Sequence, residues 1–206
     1  MIVENNLSWN AHVKNLVKKL KFRLFTLRRL SHCIPRALLK SVACGIFLSV
    51  VRYGLPLYCP LRLKDSDPNP GILKDLKVVF NDCLRLLTNN KREDHTSIKS
   101  MLEELDWSSI NQLSGETRLL EAWKTVHLDK YCMKDVLTIK KKSKYMSTRS
   151  NDTTMLEQCQ INKFSNARFV NMTAKIWNEC PKEIKKEPKL ERAKILIKEF
   201  CKTLPI

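Results

Sequence analysis

With 206 residues, 43% of them hydrophobic and only four of them glycine, the chain has the means to build one domain or two small ones around a real core. That composition excludes a disordered polymer and argues against a turn-rich β-sandwich or a phosphate-loop enzyme. Against 21 Asp and Glu stand 38 Lys and Arg, a formal net charge of +17, whose self-repulsion is best explained by a polyanionic partner. Nucleic acid leads that class, and ribosomal RNA or an anionic membrane surface fits the number equally.

The excess is concentrated. Residues 1–60 carry ten Lys or Arg and a single acid, Glu4, and no Asp or Glu falls between Asn5 and Lys64. An ordinary solvated surface mixes both signs.

The first element predicted is one long helix, with Ser8 as its N-cap and Trp9 starting the run. Val13, Leu16, Val17, Leu20, Leu24, Leu27 and Leu30 recur at three- and four-residue steps, one face of a 3.6-residue period. Lys14, Lys18, Lys21 and Arg28 take other angles. Some 22 residues make a rod of about 33 Å, close to the roughly 34 Å of one duplex turn.

Pro35 suits the first turn of a second helix. Ala37 to Val51 is apolar nearly all round, so this helix is expected in the middle of the domain, receiving the leucine stripe of the first. Its run from Val42 to Val51 is too short to cross a bilayer, which takes about 20 residues. Gly54 and Pro56 stop it, and residues 65–71 read as a loop.

A third helix is predicted from about Ile72 to Leu87, with Leu73, Leu76, Phe80, Cys83 and Leu87 inward. Thr96 or Ser97 caps a short one. Ser109 and Gln112 form a capping-box pattern ahead of a longer helix striped by Ile110, Leu113, Leu120, Trp123 and His127.

Residues 138–154 are polar, basic and rich in Ser and Thr, an exposed loop or linker. Two more helices follow, one with Phe169, Met172 and Ile176, the other with Leu190, Ala193, Ile197, Phe200 and Leu204. No two-residue alternation is sustained anywhere, so the expected fold class is all-α, a helical bundle whose smaller C-terminal helical region is joined by a basic loop. The expected divisions are 1–64, 65–137, 138–164 and 165–206.

No catalytic constellation emerges. The sequence lacks a phosphate-cradling glycine motif, an H-E-x-x-H pair and any adjacent Asp pair for a two-metal site. His95 beside Asp94 reads as a helix-start loop, His32 beside Cys33 as a helix end, and Glu103 with Glu104 as a solvated face. The eight cysteines stand eleven or more residues apart with no C-x-x-C. They are expected to be mostly buried, reduced thiols rather than metal ligands or a disulfide framework. No cofactor and no metal is expected.

The chemistry that remains is phosphate contact: cations on a helix release counterions from a polyanion without reading its sequence. The candidate residues are Lys14, Lys18, Lys19, Lys21, Arg23, Arg28 and Arg29 on the first helix. Lys140, Lys141, Lys142 and Lys144 in "KKKSK" join them, a run that also resembles a nuclear-localisation signal.

From "NLSWNAHVKNLVKKL" onward the chain resembles the thumb and C-terminal region of reverse transcriptases of LINE-type, non-LTR retrotransposons of the Jockey-like group. Leu7, Trp9 and His12 match that family's Leu-x-Trp-x-x-His pattern, and Pro35 and Tyr53-Gly54 its second, Pro-led apolar helix. "RLLTNNKREDHTSI", "TRS" and "AKIWNECPKEI" resemble later segments in order, with Trp177, Asn178 and Pro181 fitting and Cys180 standing where Leu is frequent. The resemblance implies thumb-like helices that hold a template–primer duplex (RNA–DNA hybrid or DNA) or element RNA.

The resemblance places "MIV" at the last strand of the palm or just after it. The catalytic palm and the fingers would then lie before Met1, and the chain would be a non-enzymatic fragment partnered by those parts of the same polyprotein. Its expected location is intracellular, in nucleus or cytoplasm, with no membrane span. The alternatives are a stand-alone basic helical module for a protein or anionic lipid, or a decayed element remnant.

Overall fold

The computed structural model describes residues 8–67, 71–139, 155–158 and 169–206. These residues are mostly helical and contain no sheet, as the absence of alternation predicts. The nearest approach to one is an isolated antiparallel bridge between Ile139 and Leu156. Two compact units are distinguished: Met1–Cys59 with Pro68–Ile110 and Ile206, and Pro60–Asp67 with Asn111–Pro205.

The first unit begins with α1, Asn10–Leu30. Its N-cap position is Trp9, not Ser8, and the Trp9 side chain makes no capping bond. Val13, Leu16, Val17, Leu20, Leu24 and Leu27 are buried as their spacing predicts, and each such side chain contributes about 1.5–3 kcal/mol on leaving water.

The second helix starts at Pro35, which takes the N-cap of α2, Arg36–Ala43. It then widens into a π-helical turn, Cys44–Leu48, before α3, Ser49–Arg52. This helix is not central. Leu39, Ala43, Phe47, Leu48 and Val51 face the core, whereas Ala37, Leu38, Ser41, Cys44 and Ser49 are exposed. An apolar composition all round did not mean burial all round, because one face suffices to seat the helix.

Gly54 then takes a left-handed φ of 68°, which a side chain would resist, and turns the chain into α4, Leu55–Tyr58. A 3-10 turn, Gly71–Leu73, leads into α5, Lys74–Thr88, and Ser97 caps α6, Ile98–Leu105, by accepting from the Ser100 N–H at 3.1 Å.

α1 packs against α5 and, to a comparable extent, against the continuous run of α2, the π turn and α3. The leucine stripe therefore seats on the second helix, as expected, and on the third as well. Leu73, Leu76, Phe80, Cys83 and Leu87 are all buried as predicted. Phe47, Phe80 and Trp107 form a chain of tilted rings 6.4 and 6.3 Å apart.

The entry to α1 is pinned by aromatics. The His12 ring lies 5.9 Å from Trp9 and 5.3 Å from Tyr58, and the buried Tyr58 hydroxyl donates to the Val51 carbonyl at 2.9 Å. Burial, aided by the charge of Lys19, holds His12 below the ordinary histidine pKa. The native state then binds this proton less readily than the unfolded chain, so its contribution is complete above about pH 6.5 and declines as the pH falls. Melts recorded from neutral pH down to about pH 5 should show that decline, and His12→Gln should flatten it.

In the second unit α7, Ile110–His127, is buried nearly all round. Around it lie α8, Phe169–Glu179, α9, Lys182–Lys186, and α10, Leu190–Cys201. A Cβ on Gly115 would stand 2.7 Å from Leu204 Cδ1 and 3.3 Å from Cys201 Sγ, so the missing side chain is what lets the C-terminal segment approach α7.

Two asparagines tie extended segments to this helical core. Asn111 accepts from the Arg62 N–H at 2.8 Å and donates to the carbonyls of Arg62 and Pro205 at 2.9 and 3.0 Å. Asn178 accepts from the Leu156 N–H and donates to the Leu156 carbonyl, both at 3.0 Å. Each amide replaces the ladder partner that a strand would have supplied.

All the described cysteines are free thiols; Cys59, Cys83, Cys180 and Cys201 are buried, whereas Cys33, Cys44 and Cys132 are exposed. Burial pushes the Cys83 thiol up to about 12 and raises Cys201 as well, which leaves almost no thiolate, the reactive form, at neutral pH. A maleimide in native buffer is expected to label Cys33, Cys44 and Cys132, with Cys83 and Cys201 reacting only after unfolding. Peptide mapping of the labelled protein reads the difference.

Candidate nucleic-acid interface

The exposed face of α1 is built by the same periodicity that buries its leucines. Lys14, Lys18, Lys21, Phe25 and Arg28 recur in steps of four and three, about 110° around the helix from the apolar stripe, and all are exposed. From Lys14 to Arg28 the row spans about 21 Å. Arg29 flanks it with its guanidinium 6.0 Å from the centre of the Phe25 ring. Lys18 and Lys19 are exposed too, with Lys19 turned about 140° from Lys14 at 100° per residue.

Arg23 is placed differently. It is half-buried, and its guanidinium donates to the carbonyl of Ile46 in the π turn. It ties α1 to the widened turn, where the shifted hydrogen-bonding pattern makes a carbonyl available. Lys140, Lys141, Lys142 and Lys144 lie outside the described residues.

Two features of this face were not picked out from the sequence. Phe22 is 72% exposed and Phe25 56% exposed, among the cations. The signal was present: at 100° per residue both fall off the Val13–Leu30 stripe. The second is a recess of about 320 Å³ at the C-terminal end of the row. Arg28, Arg85, Lys91 and Arg92 line it together with Asp82, Leu86, Asn89 and Asn90.

In the recess the carboxylate of Asp82 accepts from Arg92 at 2.8 and 3.0 Å and lies 3.9 Å from Arg85. One acid therefore orients two guanidiniums and leaves the recess with a positive excess. Lys91 and Arg92 are held there by a short turn, Arg92–Asp94, in which Asp94 accepts from the Lys91 N–H at 2.6 Å. Asp94 thus caps its own turn, and His95 beside it is exposed.

Among the described residues no group of three His, Cys, Asp or Glu side chains is placed to hold a metal. No helix there is long and apolar enough to cross a membrane. What the face can do is neutralise phosphates with ammonium and guanidinium groups, and present two rings to an aromatic or apolar surface.

Compared with family models, curated proteins and solved structures, the chain matches none.

Proposed function

We propose that this chain is a non-catalytic nucleic-acid-binding fragment of a LINE-type, Jockey-like retrotransposon reverse transcriptase, gripping a template–primer duplex or element RNA through α1. The observation that carries the reading is the acid-free outward row Lys14, Lys18, Lys21 and Arg28 on a helix whose apolar face is already committed to the core. A straight row of cations suits a polymer with a negative charge every about 1.7 Å of duplex axis. In an A-like hybrid the wide, shallow minor groove offers backbone and 2′-hydroxyl contacts along the same length.

Arg28 belongs to both the row and the recess, so the backbone that follows α1 is led to Arg85, Lys91 and Arg92, where one phosphate would be gripped. Lys140, Lys141, Lys142 and Lys144 remain candidate phosphate contacts on charge alone. The sequence offers no adjacent Asp pair, in keeping with a holding rather than a polymerising role. The palm and fingers of such an enzyme would be its partner, and the nucleus or cytoplasm its place.

The test is a titration of the protein against an RNA–DNA hybrid, duplex DNA and single-stranded RNA over a range of salt. Log affinity should fall linearly with log salt. Binding that hardly changed between low and moderate salt would remove the electrostatic model. Uptake by anionic vesicles without nucleic-acid binding would favour a lipid-facing module instead.

A further inference from the structure

We infer that Phe22 and Phe25 form a stacking platform for unpaired bases, so that the α1 face prefers a single-stranded polynucleotide to a duplex. The inference rests on the nucleic-acid reading above and names the form of nucleic acid. It starts from exposure: two of the largest apolar side chains of α1 point to solvent, 72% and 56% exposed, although the helix has a complete inward face of its own.

Their surroundings specify the occupant. Lys18 precedes Phe22 by one turn, Lys21 precedes Phe25, and Arg29 follows Phe25 with its guanidinium 6.0 Å from that ring. Phe25 is thus set between two cations and Phe22 has one a turn before it, groups that would hold the flanking phosphates. The two residues are about 4.5 Å apart along the helix axis, close enough for one strand to meet both rings.

A duplex hides its base faces in the stack and presents phosphates and edges, against which a phenyl ring gains little. An unpaired strand exposes a π-face at every nucleotide, and aromatic rings beside a basic track are the usual means of holding it. A second copy of this chain is a poor occupant, because it would set one row of cations against another. A lipid surface is a poor one too, since an interfacial helix commits its whole apolar face to the membrane, and α1 has turned that face inward.

Fluorescence anisotropy of the full chain with labelled poly-thymidine, poly-uridine and a duplex of equal length tests the proposal, using wild type, the Phe22→Ala/Phe25→Ala double variant and the Phe22→Trp/Phe25→Trp double variant. Both positions are on the surface, and circular dichroism checks that helicity is kept. The expected result is tighter binding of the single strands, a loss of at least about fivefold on them in the alanine variant, and near-unchanged duplex binding. The salt slope should be the same in both proteins. The tryptophan variant should hold the single strands as tightly as wild type, with its added fluorescence quenched on binding.

Duplex bound as tightly as single strand by wild type, or alanine substitution without effect on the single strands, overturns the platform while leaving the electrostatic reading intact. In a parallel sedimentation with phosphatidylserine vesicles, a loss in the alanine variant confined to the vesicles overturns it in favour of lipid. Failure of every polynucleotide to bind would remove the parent reading instead.

Discussion

Replacing Lys14, Lys18, Lys21 and Arg28 together by alanine is expected to weaken binding to every nucleic acid by about two orders of magnitude or more at moderate salt. Each cation that neutralises a phosphate adds about 0.9 to the slope of log affinity against log salt on a duplex, so four lost contacts should flatten that slope by about three to four. On a single strand the increment is about 0.7 per contact. The loss should be uniform across sequences, because these side chains meet the backbone and carry no base information.

The stability of the variant should hardly change. All four residues are exposed, none has an acidic neighbour on α1, and removing like charges from one face relieves repulsion. Alanine is also the best helix former. Arg23→Ala is the informative contrast: its guanidinium is engaged with the Ile46 carbonyl, so the effect should fall on the melt of the first unit more than on the salt slope. An unchanged slope in the quadruple variant would mean that polyanions bind elsewhere on the chain.

How far the sequence carried this picture depended on period and on distance. Where a periodic apolar stripe ran long enough, as from Val13 to Leu27 or from Leu73 to Leu87, helix and inward face were both legible. Capping signals were mixed, since Ser97 caps α6 while Ser8 does not cap α1. What periodicity does not contain is the partner. The stripe of α1 seats on α5 as well as on the helix after Pro35, and nothing in its spacing announces that additional partner.

A π turn leaves no local signature, so neither the one-sided burial after Pro35 nor the Ile46 carbonyl that receives Arg23 was legible. The short segment around Leu61 enters the second unit's core, with no regular structure to announce it. At the interface the cations were legible as charge, but the recess was not. Its members come from residues 28, 82–92 and a turn closed by Asp94. The exposed rings were hidden by habit rather than by physics: a phenylalanine in a leucine-rich helix reads as core until its angle is checked.

Trp177→Ala should be the most destabilising single substitution in the second unit. The side chain is fully buried, in a cluster with Leu61, Leu119, Trp123, Leu156, Ile184 and Ile197. These come from an extended segment, three helices and a bridge residue, so a void there loosens several elements at once. Deleting a buried tryptophan costs about 3–5 kcal/mol, a large part of the roughly 5–15 kcal/mol that holds a native domain. The next residue compounds the loss, because Asn178 holds both backbone groups of Leu156 and the Asn178 carbonyl accepts from the buried Lys185 Nζ at 3.0 Å. Shifting α8 strains both. Urea unfolding should show a much lower midpoint for Trp177→Ala, an intermediate one for Trp177→Phe, and almost no change for Lys175→Ala, an exposed position two residues away on the same helix. A Trp177→Ala midpoint equal to that of Lys175→Ala would mean that this cluster is not the core on which the unit depends.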